Sequence, residues 1–362
     1  MAHSKPLQKP NRFDAGGVAS VENPMTNIRG NRPTLHDVAK AAGVGNTTVS
    51  RVINGGHYVA PEMLARVRQV MDELGYQPNQ AARALKNERS KTIGLIIPSI
   101  TDPFFAEFAG VAETIARQRD YVLILLTSQD KAQLELADLQ IFERHRIDGL
   151  LLVPPRSGSK ALIQNLRRLS VPVVAFDRPI AGRAYSSVVC DNLVAAQRAT
   201  RHLIEHGRKR ILCLGGDMSL FTISERVKGY SGVMTAAGLE SLIEMDASDY
   251  AAADEAIMKH MNGGGIDAIF GLYNQSTISA YEVLQNRRIA VPEKVSLVGF
   301  DDFALAGTLR PSVTVVKQAI VELARTAANL LLGHMSGETT SPQQIEVASN
   351  LIIRQSCGCE PD

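Results

Sequence analysis

Apolar residues change their spacing near residue 92. Before it, Leu35, Val38, Ala39 and Ala42 recur at the interval of one helix face, and Val44, Val49 and Val52 offer a second short face. Thr34 is a natural N-cap for a helix Leu35–Ala42, and Gly43 is a left-handed stop. A second helix is expected from about Thr47 to Ile53, ending at Asn54-Gly55-Gly56. A third starts near Pro61, reaches Leu74 and stops at Gly75. A short Ala-rich segment, Asn79–Lys86, and a polar linker follow. From Ile93 onward the pattern becomes strands alternating with helices. Apolar runs lie at Ile93–Pro98, Tyr121–Thr127, Ile147–Val153, Val171–Phe176, Ser187–Asp191, Arg210–Gly215, Ile266–Leu272 and Val295–Phe300. Helical stretches such as Phe104–Arg119, Ala132–His145, Leu193–His206, Arg226–Ala237, Ser276–Arg288 and Ile320–Leu332 separate them. Continuous apolar strands spaced in this way predict parallel sheets covered on both faces. Their number favours two doubly wound lobes over one sheet, with ligands beyond the carboxyl ends of the strands.

The small residues Ala39 and Gly43 let the first two helices cross at a tight turn, which is helix-turn-helix geometry. The second helix then exposes Asn46, Thr47, Ser50 and Arg51. All can hydrogen-bond a base edge or a phosphate, and none is acidic. A generic helical hairpin is the alternative.

Charge sharpens this picture. Residues 27–91 hold ten Lys and Arg against five Asp and Glu, and residues 1–26 hold three against two. The chain as a whole is +2, so residues 92–362 carry −4. A basic head on a mildly acidic body suits a polyanionic partner. At 362 residues the chain has room for two or three domains. It has no apolar run of about 18 residues, so no membrane span is expected. The polar residues 1–26 lack the apolar core of a secretory signal, which points to the cytoplasm. They read as disordered, and Met1 and Met25 are both open as the start.

These motifs reach a resemblance. Residues Leu35 to Asn54 resemble the DNA-binding head of the lactose-repressor/galactose-repressor family. Leu74-Gly75-Tyr76-Gln77-Pro78-Asn79-Gln80-Ala81-Ala82-Arg83-Ala84-Leu85 resembles the end of its third helix and its hinge helix. The likeness continues through Thr92-Ile93-Gly94-Leu95-Ile96-Ile97-Pro98, Asp102-Pro103-Phe104-Phe105, Val298-Gly299-Phe300-Asp301-Asp302 and Leu351-Ile352-Ile353-Arg354. It implies a small all-α helix-turn-helix head at 33–78, a hinge helix and linker at 79–91, and a periplasmic-binding-protein-like α/β sensor of two doubly wound lobes at 92–358. Lobe 1 would hold about 92–190 and 320–347, and lobe 2 about 191–319 and 348–358. Residues 1–32 would be an extension and 359–362 a tail.

The resemblance also implies roles. Asn46 and Thr47 would read bases, supported by Arg51. Thr34, Thr48, Ser50, Asn54 and Tyr76 would contact or position phosphates, and Leu85 would wedge into the minor groove. Gly45 departs from the family's usual serine, which removes a side-chain cap and a phosphate contact. In the sensor, Phe104 and Phe105 would wall a sugar face. Asp177, Arg178, Arg226, Asn274 and Asp301 would present charged and amide groups to a polyhydroxylated effector, with structural ion pairs as the alternative. Arg178 leaves a sugar acid or sugar phosphate open. Gln275 stands where the family usually has Asp, and Tyr273 and Ile278 replace smaller residues.

The expected partners are a pseudo-palindromic double-stranded operator, a sugar-like effector and a second copy of the chain. Residues 355–362 contain no apolar heptad, so a dimer is expected rather than a tail-tethered tetramer. The reading is an allosteric regulator, most simply a repressor. A transport-associated binding module, a sugar-modifying enzyme and a ligand-free architectural DNA protein are the rivals. No cofactor motif is present: the sequence has no Walker loop, G-x-G-x-x-G or G-x-S-x-G. His202-Leu203-Ile204-Glu205-His206 matches a zinc-protease pattern, but it reads as the amphipathic end of a helix with its polar residues in solvent. Cys357 and Cys359 form a C-x-C on a polar tail, two thiolates being too few for a structural zinc site. Cys190 and Cys213 read as buried thiols.

Overall fold

The computed structural model describes residues 33–53, 59–77, 89–155, 159–247 and 249–359. The chain divides into two compact units, Met1–Gln80 and Ala81–Asp362. Asn54, Leu85 and the Ala-rich hinge segment lie outside the described residues.

The described part of the first unit is three helices, α1 (Leu35–Ala42), α2 (Asn46–Ile53) and α3 (Pro61–Glu73). Thr34 caps α1 reciprocally. The Asp37 N–H donates to Thr34 Oγ1 at 3.3 Å, and the Thr34 N–H donates to Asp37 Oδ2 at 2.8 Å. Two otherwise unpaired donors at the helix start are thereby satisfied. Gly43 ends α1 at φ 66°, a conformation that favours glycine, and its N–H donates to Lys40 O at 3.3 Å. Pro61 opens α3, where its missing N–H costs nothing. Val38, Ala39, Ala42, Val49, Val52 and Val67 form the core of the unit. These are short side chains, so the three helices can approach closely.

The second unit holds two six-stranded sheets. The first has the order β11-β5-β4-β3-β1-β2 and the second β12-β10-β9-β8-β6-β7. In the first, β1 is Thr92–Ile97, β2 Val122–Thr127, β3 Gly149–Leu152, β4 Val173–Phe176, β5 Ser186–Cys190 and β11 Gln344–Val347. In the second, β6 is Ile211–Leu214, β7 Leu242–Glu244, β8 Ala268–Gly271, β9 Ser296–Phe300, β10 Thr314–Lys317 and β12 Asn350–Ile352. The central strands β3, β4, β6, β8 and β9 are buried throughout, as strands covered on both faces must be.

The sheets depart from the expected parallel pattern at one edge, where β12 pairs antiparallel with β10 and sets Val315 opposite Ile352. Only Ala348 and Ser349 separate β12 from β11 of the other sheet. The chain leaves β11 at a carboxyl edge and enters the second sheet from the same end, so it runs backwards there. The short strands β7, β10, β11 and β12 were not among the expected apolar runs. Neither were the helices Lys160–Leu169 and Tyr250–Asn262 among the expected helical stretches.

The helix expected from Arg226 begins five residues earlier and spans Phe221–Ala236. Its buried positions, among them Thr222, Ile223, Arg226, Val227, Tyr230 and Met234, share one face, but Thr222 and Arg226 are polar, so no unbroken apolar stripe marks its start. Gly229 lets it cross the helix Asn192–Glu205 closely. A Cβ at Gly229 would lie 2.3 Å from Leu193 O.

One buried carboxyl is unbalanced. Glu135, on the helix Ala132–His145, is 2% exposed, and its Oε2 has no protein hydrogen-bond partner. Burial first, then the nearby Asp138 and Asp130, push its pKa up to about 8 from an ordinary 4.5. Between these values the unfolded chain ionises while the folded one holds its proton, so stability is lost as pH rises. Glu135→Gln is therefore expected to stabilise the protein at pH 7.5 by about 1–3 kcal/mol. The gain should shrink towards pH 4.5. Urea melts of both proteins across this range check it, and a pH-independent difference would refute the cause.

Candidate functional sites

The outward surface of the first unit is built by α2. Val49 and Val52 are buried, which turns Asn46, Thr47 and Arg51 into solvent, with Ser50 and Thr48 half-buried. The helix carries no acidic residue in its first turn and has Arg51 in its last. Its start is bare of a side-chain acceptor because Gly45 precedes it. Space exists for one, since a Cβ at Gly45 would meet only Thr47 Oγ1, at 3.6 Å. Thr34 and Tyr76, expected near phosphates, serve the fold as well. The Thr34 hydroxyl donates to Asp37 Oδ2 at 2.7 Å, and Tyr76 packs against the core.

In the second unit, the carboxyl ends of both sheets enclose a cleft of about 460 Å³. All seven expected effector residues line it: Phe104, Phe105, Asp177, Arg178, Arg226, Asn274 and Asp301. Phe104 and Phe105 meet edge to face with ring centroids 5.0 Å apart. Asp102 caps their helix, Pro103–Gln118, by accepting from the Phe104 N–H at 3.0 Å. Asp177 and Asp301 occupy matching places in the two sheets. Each follows a central strand in the left-handed region, at φ 63° and 71°. Each donates its N–H to the neighbouring strand, Asp177 to Val188 O at 3.1 Å and Asp301 to Val316 O at 2.9 Å.

The two arginines are held by protein groups. Arg226 Nε donates to Asn192 Oδ1 at 2.8 Å and Nη1 to Leu272 O at 2.7 Å. Its guanidinium lies 3.6 Å from the centroid of the Phe300 ring and 3.6 Å from Asp301 Oδ2. Arg178 forms a two-pronged pair with Asp130. Its Nε lies 3.3 Å from Asp177 Oδ2 but without hydrogen-bond alignment, and it has no hydrogen-bond partner. Gln318 Nε2 donates to Asp301 Oδ1 at 2.6 Å, which leaves its buried Oε1 without a partner. Both atoms are buried within the protein, away from the open space of the cleft. Burial pushes Asp177 up to about 6 against the pull of Arg178 and Arg226, and burial also raises Asp102.

Several lining residues were missed from the sequence: Asp102, Asp130, Thr222, Asp217, Asp246 and Gln318. A signal existed for the acids. Asp102, Asp130, Asp217 and Asp246 follow β1, β2, β6 and β7, as Asp177 and Asp301 follow β4 and β9. An aspartate just past a strand end is placed at the cleft by topology alone. Gln275 and Ile278 do not line the cleft, and Gln275 is exposed, so its departure from the family leaves the wall unchanged. Tyr273 does line it.

A second correction concerns the end of the helix Asn192–Glu205. His202, expected in solvent, is 9% exposed, and Cys357, expected on a polar tail, is fully buried at the end of the short helical turn Gln355–Cys357. The reason is packing. The turn docks on the second sheet, with Ser296 Oγ donating to Cys357 O at 3.1 Å and the Thr314 N–H to Ser356 Oγ at 2.9 Å.

Among the described residues, no helix is long and apolar enough to cross a membrane. Residues 34–79 match the family "Bacterial regulatory proteins, lacI family", and residues 90–355 match "Periplasmic binding proteins and sugar binding domain of LacI family". The chain is 33% identical over 339 residues to the HTH-type transcriptional regulator CelR of Thermobifida fusca, covering 91% of this chain and 99% of that one. It is 30% identical over 333 residues to the ribose operon repressor of Escherichia coli K12, covering 89% and 99%. A solved CelR–cellobiose complex superposes with a TM-score of 0.68 at 31% identity, covering 90% of this chain and all of that one. The lac repressor dimer bound to operator shares the fold, with a TM-score of 0.81 at 22% identity and coverage of 90% and 99%. With a basic helix-turn-helix unit, a two-sheet cleft and matches along nearly all of its length, the chain belongs to the LacI family of DNA-binding transcriptional regulators.

Proposed function

We propose that the chain is a repressor that binds its operator as a homodimer and is switched by a neutral, hydroxyl-rich effector, a sugar of one or two rings, held in the interlobe cleft. One observation carries the choice of effector: six carboxylates line the cleft, and its two arginines are already held by protein groups. A hydroxyl group both donates and accepts, so a polyol can donate to these carboxylates without bringing a charge of its own. The Phe104 and Phe105 rings offer the apolar surface that a sugar face needs. CelR has been solved with cellobiose, and another relative is a ribose operon repressor, which supports the same ligand class here. The aspartates of the cleft are read as ligand acceptors, with no catalytic role, in a protein that works in the cytoplasm.

The effector's leverage comes from contacting both sheets. Asp177 belongs to the first and Asp301 to the second, so a ligand between them gains contacts as the lobes approach and shifts the closed population. A thermal-shift screen of neutral sugars, sugar acids and sugar phosphates tests the class. A hit stabilises by RT ln(1 + [L]/Kd). Stabilisation by sugar acids or phosphates alone would overturn the neutral-ligand reading.

Asp301→Asn keeps the size and tolerates the left-handed backbone, but it removes a charged acceptor. We expect it to weaken effector binding about tenfold or more, since hydrogen bonds to charged groups contribute about 1.5–3 kcal/mol. Operator affinity without effector should stay within about twofold. Operator titrations with and without the screened sugar read both, and an unchanged effector midpoint would remove Asp301 from the site. Arg226→Ala makes a poorer test, because it strips partners from the buried Asn192 and Leu272 carbonyl and so destabilises the lobe.

On the DNA side, Asn46 and Thr47 are proposed as the base readers, with Arg51 in support. Replacing either should relax or switch base preference, at about 1–3 kcal/mol per lost bidentate contact. Selection from randomised operators checks this. The same motif recovered by the parent and by both variants would show that the specificity resides elsewhere.

A further inference from the structure

The histidine pair and the C-x-C motif look unrelated in the sequence, separated by more than 150 positions. The fold brings them together. His202 and His206 stand one helical turn apart at the end of the helix Asn192–Glu205, with ring centroids 4.6 Å apart. The turn Gln355–Cys357 docks Cys357 beside them. Gly358, at φ 103°, then turns the chain so that Cys359 comes back towards the same helix end. The Cys359 Sγ lies 3.1 Å from His206 Nε2 and 3.8 Å from His202 Nε2. Ligand atoms of His202, Cys357 and Cys359 all lie within 4.8 Å of one another. We propose that His202, His206, Cys357 and Cys359 form a tetrahedral zinc site that staples the C-terminal segment of the chain to the second lobe.

The donor set and its spacing argue for a metal. Two thiols and two imidazoles are a Cys₂His₂ set, the borderline-soft combination that zinc takes in closed structural sites. Zinc–sulfur bonds of about 2.3 Å and zinc–nitrogen bonds of about 2.0 Å put tetrahedral ligand atoms about 3.3–3.8 Å apart. The Cys359 separations of 3.1 and 3.8 Å lie close to that range, while His206 stands outside the group of three within 4.8 Å and closes the site by turning its ring. Small side-chain rotations suffice, chiefly of the exposed His206 ring. Thiols make weak hydrogen bonds, so the cluster gains little by contact alone. The surroundings suit a thiolate: Thr314 Oγ1 lies 3.1 Å from Cys357 Sγ and can donate to it. As a thiol, Cys357 donates to Arg354 O at 3.2 Å. On zinc binding its proton and that of Cys359 pass to solvent, and the two thiolates and two neutral imidazoles fill four coordination positions.

The position gives the site a mechanical role. The same helix begins at Asn192, whose side chain holds Arg226 in the cleft. Zinc would therefore fix the far end of the element on which Arg226 rests. The proposal is independent of the effector's identity.

The test uses the full chain, purified under reductant, stripped with a chelator and titrated with cobalt(II) and then zinc. We expect one cobalt per chain, with the strong visible absorption of a four-coordinate site and thiolate-to-metal charge transfer in the near ultraviolet, bleached by zinc. Zinc should also raise the melting temperature. Cys359→Ser and His206→Ala lie at the solvent edge and should keep the fold by circular dichroism. Each should weaken metal binding about tenfold or more. Weak absorption typical of six-coordinate cobalt would overturn the proposal. So would metal affinity unchanged in both variants, or protein trapped by rapid alkylation with Cys357 and Cys359 already joined in a disulfide.

Discussion

The sensor is organised around one buried cation. Arg226 has a side chain only 4% exposed, and it touches the ends of three elements at once. Its Nε holds Asn192, the first residue of a helix that follows a lobe crossing. Its Nη1 holds the carbonyl of Leu272 just past β8, and its plane covers the Phe300 ring at the end of β9. A guanidinium so placed keeps its partners, because each buried donor left unsatisfied costs about 1–3 kcal/mol. The close crossing at Gly229 makes the arrangement possible, since a side chain there would push the two helices apart and draw Arg226 away from Asn192. Asn192 passes the constraint on, with its Nδ2 donating to Cys190 O at 3.1 Å. The cleft wall and the chain crossing are thus one hydrogen-bonded unit.

The crossings themselves are few and tied together. The chain passes between the sheets after β5, after β10 and after β11. Asp191, on the first crossing, accepts the Ser349 N–H of the third at 2.9 Å and pairs with Arg198 at 2.7 Å. Arg198 also donates to Ser349 O at 2.8 Å. Gln318, on the second crossing, donates to Asp301 in the cleft. A ligand that draws on Asp301 therefore acts one hydrogen bond away from a hinge segment. Hinges of a few residues at element ends are where lobe closure concentrates its backbone rotation. The coupling of cleft to hinge needs no longer path than this.

Much of this was legible in the sequence, and the exceptions have physical reasons. Thr34 and Gly43 marked α1 because caps are local chemistry, and the valines of the first unit marked its core by spacing. Most buried strands announced themselves as apolar runs, but β10 (TVVK), with only two apolar residues between polar ends, did not. The strands β7, β11 and β12 did not, since edge strands of three or four half-exposed residues carry little apolar signal. The helix Phe221–Ala236 hid its start because the polar Thr222 and Arg226 interrupt its buried face. In the cleft, Asp177 and Asp301 were reached through the family resemblance, while Asp102, Asp130, Asp217 and Asp246 were passed over. All six obey one rule of position, an aspartate just beyond a strand's carboxyl end. His202 was misjudged because its burial depends on a segment more than 150 residues away, which no local pattern reports.

The six aspartates also bear on what can enter the cleft. They stand against two arginines, each already engaged by a carboxylate or a carbonyl. An anionic ligand would meet this excess of negative charge with no free guanidinium to receive it in a two-pronged contact. The pairing of Arg178 with Asp130 thus weakens the case for a sugar acid or phosphate that Arg178 alone left open. A cationic ligand suits the carboxylates but brings its charge beside Arg178 and Arg226. A neutral ligand bearing hydroxyls avoids both conflicts, because it would donate to the carboxylates without adding a charge. Burial of Asp177 strengthens the argument. Its pKa stands near 6 because its charge is poorly solvated, so each hydroxyl that donates to it replaces hydration lost on folding. Recognition by such a site depends on where the hydroxyls lie around the ring, and that sets one neutral sugar apart from another.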